Sequence, residues 1–227
     1  MTLPNELLWF LLLVVNFVSI VALYRFAGRA GLYVWITIAA IVANIQVTKT
    51  VELFGLTATL GNIVYAGSFL ATDLLNEVYG ERSARRGVFF GFFAIAATIV
   101  LMNAALFFAP DRSDFAHEHL VAIFALLPRI GVASVVAYLV SQRHDVWAYQ
   151  FWKRRFPRRL WLRNNLSTLV SQLIDTCLFT AIAFVGRFPP AILLEIVITT
   201  YLFKGVVALL DTPFLYLGRS LRVPDEA

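Results

Sequence analysis

Long apolar runs separated by short polar clusters organise this chain, and several runs carry ionisable residues in their interiors. A helix crosses the hydrocarbon core of a bilayer with about 20 mostly apolar residues. Seven runs meet that requirement approximately: Leu7–Tyr24, Leu32–Thr48, Phe54–Leu75, Gly87–Phe108, His119–Val140, Asn165–Val185 and Ala191–Leu217. The first two are short, and the third contains Gly55, Gly61 and Gly67, which predicts close packing or a break. The expected fold is therefore all-α, a polytopic membrane helix bundle with seven transmembrane helices.

Arg129, Asp175, Lys204 and Asp211 lie well inside these runs, and Asp73 lies near the end of one. A charge in hydrocarbon costs roughly 2.5–3.5 kcal/mol on insertion scales, so such residues generally face a cavity or one another. Helical spacing groups them with other polar residues. Thr168, Gln172 and Asp175 share a face of the sixth span, with Ser171 beside them. Thr200, Lys204 and Asp211 share a face of the seventh, and Ser134, Tyr138 and Gln142 follow Arg129 on the fifth. Counting residues from the span ends puts Arg129, Asp175 and Lys204 near one depth at the midplane. Such an arrangement fits a polar cavity. It also fits ion pairs that only fix helix register, Arg129–Asp175 or Lys204–Asp211, although the latter two are about 10 Å apart along one helix axis. Asp73, Asn76 and Glu77 share a face at the end of the third span, followed by Gly80 as a helix cap.

The loop cations set an orientation. Fourteen lysines and arginines fall in one set of loops: Arg25 and Arg29, then Arg82, Arg85 and Arg86, then Arg143 to Arg163, then Arg219 and Arg222. Only Lys49, Arg112 and Arg187 fall in the other set. Positively charged loops stay cytoplasmic, so the N-terminus is expected outside and the C-terminus in the cytoplasm. The run from Leu7 has no basic segment before it and no small-residue cleavage site after it, so it reads as a retained helix. The longest loop, Ser141–Asn164, is basic with Trp147, Trp152, Phe156 and Trp161 interleaved. That pattern occurs in single-stranded nucleic-acid binders, but an interfacial segment on lipid headgroups needs no further partner and is preferred. Nucleic acid is not expected as a partner.

Composition agrees with this reading. The chain has 227 residues, 60% of them hydrophobic, and a mean hydropathy of +0.77, against about 45–50% apolar in soluble domains. The single cysteine, Cys177, excludes an internal disulfide and a cysteine metal cluster. His117-Glu118-His119 lacks the spacing of a helical zinc motif. No phosphate-binding loop, nucleophile elbow or zinc-protease motif is present. No cofactor, metal or enzyme activity is expected. No internal repeat supports an inverted-repeat transporter.

Particular residues carry a family resemblance. They are Asn44-Ile45 with Lys49, Phe54-Gly55, the run from Ala71 through Thr72-Asp73, Asn76-Glu77 and Tyr79-Gly80, Ala84, and Gly91-Phe92. Further on they are Arg129-Ile130, Ala133-Ser134, Ala137-Tyr138, Ser171-Gln172, Asp175-Thr176, Phe179, Lys204 and Asp211-Thr212-Pro213. Over roughly residues 31–217 this pattern resembles the queuosine precursor transporter family, sometimes grouped with vitamin uptake transporters. The resemblance implies a bacterial inner-membrane importer of 7-deazaguanine bases: 7-cyano-7-deazaguanine, its aminomethyl analogue or queuine. It also implies a six-helix core similar to the substrate-binding subunits of energy-coupling-factor importers, acting without a dedicated ATPase. Residues 1–30 would then be an additional N-terminal helix on a core at 31–227. Where many members of that family have a proline before the Thr-Asp pair, this chain has Ala66-Gly67-Ser68.

A deazaguanine ligand suits the polar residues. Its edge offers two adjacent donors that one carboxylate can accept, and its carbonyl needs a donor. Asp175, Gln172, Arg129 and Lys204 supply a polar edge, and Tyr138, Phe179 and Tyr201 supply aromatic walls. Asn44, Asp73, Asn76, Glu77 and Asp211 are further candidates for substrate contact. Two other readings compete: a capture subunit needing a separate ATP-driven module, and an intramembrane enzyme or structural membrane protein. The expected partners are the small-molecule substrate and membrane lipid; a homo-oligomer is an open alternative to a single copy.

Overall fold

In a computed structural model the described residues, 4–125, 128–186 and 189–221, form an all-α bundle with one small hairpin. The first helical run, α1 (Asn5–Gln46), covers both of the first two expected spans. As a straight rod it would be about 63 Å long. Instead it folds back at Gly28, whose φ of 54° and ψ of −135° lie in a region left essentially to glycine. The return is tight: a Cβ on Gly31 would lie 2.3 Å from the Leu23 carbonyl oxygen. The two arms run antiparallel, because Asn5 and Glu6 at the start of α1 reach the hairpin that follows its end. Asn5 Nδ2 donates to the Glu52 carbonyl (3.1 Å), and the Phe54 amide donates to Glu6 Oε1 (3.1 Å).

That hairpin, β1 (Thr50–Leu53) and β2 (Leu56–Thr59), corrects the third expected span. Phe54 and Gly55 both have positive φ, 51° and 76°, the signature of a two-residue turn whose twist matches the strands. The helix therefore starts later, as α2 (Gly61–Leu74), and continues into a π-helical turn over Leu75–Tyr79. Next come α3 (Glu81–Ala105), the short α4 (His117–Leu120) with a π turn over Val121–Ala125, and α5 (Pro128–Arg155). The last two helices are α6 (Leu160–Phe184) and α7 (Pro190–Ser220), the latter opening with proline at its first position, where no amide hydrogen bond is lost. In the loop before α4, the Ser113 hydroxyl and amide at Asp111 hold that exposed carboxyl below its ordinary value. Arg187 and Arg222, counted above among the loop cations, lie outside the described residues.

A second correction concerns the expected loop Ser141–Asn164. Most of it is helix: α5 runs on to Arg155, and α6 begins at Leu160. Gln142, Asp145 and Tyr149 are fully buried along the extension, and Arg143, Arg154 and Arg155 are exposed, so it is a helix with an inward polar face and an outward basic one. The α5–α6 pairing is the most extensive in the bundle. Among the described residues four helices, α1, α3, α6 and α7, are long and apolar enough to cross a membrane. Outward-facing Phe10, Val15, Phe93, Val100, Leu101, Leu194, Leu202 and Leu209 give the bundle an apolar belt, as a lipid-facing surface requires. The inside is the reverse: apolar side chains from α1, α2 and α3 pack one half, and a column of polar side chains occupies the space between α2, α5, α6 and α7.

Candidate functional site

The polar column has three layers. The first centres on Asp175, which is 4% exposed, and Lys204, which is 5% exposed. Lys204 Nζ donates to Asp175 Oδ2 at 2.5 Å. The Tyr65 hydroxyl donates to Asp175 Oδ1 at 2.5 Å and the Ser141 hydroxyl to the same oxygen at 3.2 Å. The ammonium also lies over the Tyr65 ring, 4.9 Å from its centre, and Tyr138 packs edge-on against Tyr65 with centroids 6.2 Å apart. Four helices thus meet at one ion pair, with Tyr65 from α2, Ser141 from α5, Asp175 from α6 and Lys204 from α7. Each charge is neutralised and hydrogen-bonded, as burial demands.

This pair forms part of the wall of a cavity of about 360 Å³, within the ~300–1,000 Å³ typical of small-molecule sites. Its polar lining includes Asn44, Asn62, Ser134, Thr176, Thr180 and Thr200, and Tyr65 and Phe179 present aromatic rings. The cavity extends toward the end of the bundle that holds the hairpin, reaching Val47, Thr48, Phe184 and Ile196.

The second layer lies about two helical turns further in. It holds Asp73, Asp145 and Asp211, all at most 1% exposed. Thr168 Oγ donates to Asp73 Oδ2 (3.1 Å), and Asn164 Nδ2 to Asp211 Oδ1 (2.8 Å). The third layer closes the far end around Glu77, which the π turn presents to three cations. Arg163 pairs with it, Lys153 lies 3.2 Å away and Arg219 3.3 Å away, and the Tyr149 hydroxyl donates to it at 3.3 Å. A π turn inside a helix is frequent at functional positions.

The sequence candidates divide among these places. Asp175 and Lys204 meet directly, and Phe179 and Asn44 line the cavity, Asn44 with its Nδ2 donating to the Ala40 carbonyl. Gln172 is fully buried, and neither of its amide atoms has a hydrogen-bond partner among the described residues. Tyr138 stands behind Tyr65, and Tyr201 does not line the cavity. Asp73 and Asp211 belong to the second layer, and Glu77 to the third. Asn76 is spent on α5, donating to the Val146 carbonyl (3.1 Å) and accepting from Gln150. Arg129 is not at the depth of Asp175. It is exposed at the start of α5 and donates to the Ile182 and Val185 carbonyls (2.5 and 2.6 Å), capping the end of α6. Neither expected ion pair forms: Lys204 goes to Asp175, and Asp211 to Asn164. Sequence reasoning missed Tyr65 and Asp145. Tyr65, Ser68, Thr72 and Asn76 follow helical spacing on one face, a signal that could have found the first.

Enclosed polar layers beside a ligand-sized cavity, inside a bundle with an apolar belt, fit a multi-pass membrane transporter, the class that the comparisons with known proteins show. A family model described as "Putative vitamin uptake transporter" matches residues 59–218. A "Probable queuosine precursor transporter" of Bacillus subtilis (strain 168) is 45% identical over 98% of this chain and 98% of its own length. The "Queuosine precursor transporter" of Escherichia coli (strain K12) is 33% identical over 74% of this chain and 75% of its own. No solved structure matches. The chain belongs to the queuosine precursor transporter family, a family of transporters and not of enzymes.

The ion pair yields a stability prediction. Removing one partner of a buried pair leaves an uncompensated charge and typically costs about 3–5 kcal/mol. Lys204→Met should therefore lower the thermal midpoint in detergent clearly. The double variant Asp175→Asn with Lys204→Met should recover part of the loss. Additive losses in that cycle would show that the two side chains are not coupled.

Proposed function

We propose that this chain imports queuosine precursors, 7-deazaguanine bases of the cyano, aminomethyl or queuine type, and holds the base in the cavity beside Asp175 and Lys204. The observation that carries this reading is a buried, four-helix ion pair in the wall of a ligand-sized cavity, in a chain 45% identical to a relative named for these substrates. Asp175 accepts three hydrogen bonds from the protein, and an ionised carboxylate has about four acceptor positions. A base edge with two adjacent donors completes that set by displacing a weaker donor such as Ser141. Lys204 can then turn toward the base carbonyl. Tyr65 and Phe179 flank the ring, Gln172 offers a further donor and acceptor, and Asn44 contacts the base on entry. Asp73, Asp211 and Glu77 lie along the exit toward the opposite end.

We further propose seven membrane crossings, with the N-terminus outside and the C-terminus cytoplasmic. The crossings are the two arms of α1, α2 with its π turn, α3, α4–α5, α6 and α7. The arm before Gly28 is the addition to a six-helix core. The cation distribution supports this topology. Arg29 stacks over Tyr79 at 5.6 Å, and Lys153, Arg163 and Arg219 gather at Glu77, all at the end opposite the hairpin. A reporter active only in the cytoplasm should work at the C-terminus and fail at the N-terminus. Activity at both termini would refute seven crossings.

The protein alone in liposomes should accumulate or exchange a labelled deazaguanine base. Tight binding with neither uptake nor exchange under any imposed gradient would identify a capture subunit instead.

Asp175→Asn keeps the side chain's shape but turns a donor toward the base edge. A charge-assisted hydrogen bond contributes about 1.5–3 kcal/mol, so affinity should fall roughly tenfold to a hundredfold. A hypoxanthine-like analogue lacking the exocyclic amine should bind wild type more weakly than the base does, and the variant should discriminate less. Unchanged base affinity with lowered thermal stability would leave Asp175 a purely structural partner of Lys204.

A further inference from the structure

The second layer is short of hydrogen-bond donors. Asp73, Asp145 and Asp211 come from α2, α5 and α7 and are at most 1% exposed. Asp145 lies within hydrogen-bonding reach of Asp73 and beside Ser167, Thr168 and Ser171. Those hydroxyls have one proton each, and all three are committed elsewhere. Ser167 donates to the Asn164 carbonyl (3.1 Å), Ser171 to the Ser167 carbonyl (2.7 Å) and Thr168 to Asp73 (3.1 Å). Among the described residues, Asp73 Oδ1, Asp211 Oδ2 and both oxygens of Asp145 have no donor.

Asn164 makes the same point from outside the acidic group. It is fully buried, its Nδ2 is fixed on Asp211 at 2.8 Å, and its own Oδ1 has no partner among the described residues. Among the described residues, no lysine or arginine forms an ion pair with any of the three carboxylates. Lys204 pairs with Asp175, and Lys153, Arg163 and Arg219 lie at Glu77. The other titratable groups nearby are Tyr149, which donates to Glu77, and His144, whose Nδ1 lies 2.9 Å from Ser171 Oγ. What the layer lacks is a cationic, donor-only ligand. Among the described residues no group of three or more acidic, histidine or cysteine side chains is spaced to hold a metal ion. Two carboxylates within hydrogen-bonding reach in a dry site characteristically share a proton.

We propose that Asp73, Asp145 and Asp211 form a proton-binding site between the base cavity and the Glu77 cluster, and that base import is coupled to proton entry through it. This rests on the transport reading above. Polar side chains lie between the cavity and the layer: Ser141 donates to Asp175 (3.2 Å), and the neighbouring Gln142 donates to Ser68 (3.0 Å) and lies 3.4 Å from Thr72 Oγ1. A proton arriving from the cavity binds a carboxylate oxygen of the layer and leaves toward the Glu77 end.

The test uses the full chain in liposomes with radiolabelled 7-cyano-7-deazaguanine, the membrane potential clamped. Base exchange without any gradient is measured first. An inward gradient of one pH unit should then drive about tenfold accumulation at one proton per base. Asp145→Asn should keep exchange and lose pH-driven accumulation, and Asp145→Glu should restore it. Exchange that persists while accumulation ignores the pH gradient would overturn the coupling and leave the transport reading intact. Accumulation driven by a sodium gradient instead would overturn the proton as the ligand. Absence of exchange in the wild type would overturn both readings. Should Asp145→Asn fail to fold, wild type decides alone: a pH dye inside the vesicles must report acidification when external base is added, and a flat signal overturns the proposal.

Discussion

The architecture depends on one buried ion pair. Asp175 and Lys204 sit on neighbouring helices in surroundings that water barely reaches, and neither charge is tolerable there alone. Tyr65 and Ser141 complete the coordination of the carboxylate, so α2, α5, α6 and α7 are held at fixed register around one point. The cavity lies beside this point and is lined in addition by Ala43 and Asn44 of α1 and Ile95 of α3. On the other side, α1 and α3 pack against α2 through ordinary apolar contacts, including Leu32, Ile36, Leu75, Ala84 and Val88.

Below this point the electrostatics alternate. The first layer is balanced, one cation to one anion. The second is acidic without a paired cation among the described residues, and the third surrounds Glu77 with three cations. On the proposed reading, a heteroaromatic base with a donor edge and an acceptor carbonyl is complementary to the first layer. The far end is tied shut by Glu77, so the cavity reaches only the hairpin end. A transport cycle has to loosen the Glu77 cluster, and the π turn that carries Glu77 is the segment of α2 with the least regular hydrogen bonding.

Much of this was legible in the chain. Intramembrane charges are expensive, so Asp175, Lys204, Asp73 and Asp211 marked the interior correctly by their mere presence, and their helical spacing named the inward faces. Two of the failures share one physical cause. Hydropathy cannot distinguish a polar face turned inward from a loop turned outward. For that reason the inner half of α5 read as loop and Asp145 was passed over. The same blindness displaced Arg129: with α5 starting at Pro128, its side chain caps α6 instead of reaching the midplane. The hairpin was hidden because its short strands are apolar enough to extend a spanning run, and only the Phe54-Gly55 pair marked the turn. Tyr65 shows the complementary limit. A tyrosine in a spanning run is an ordinary residue, and only the fold reveals that its hydroxyl sits on Asp175.

The most direct test of the account is an experimental structure of the protein with a 7-deazaguanine base bound. The account predicts the ring in the cavity beside Tyr65 and Phe179, its donor edge on Asp175 and Lys204 within hydrogen-bonding distance of its carbonyl. A base bound away from Asp175, with the Asp175–Lys204 pair undisturbed, would contradict it.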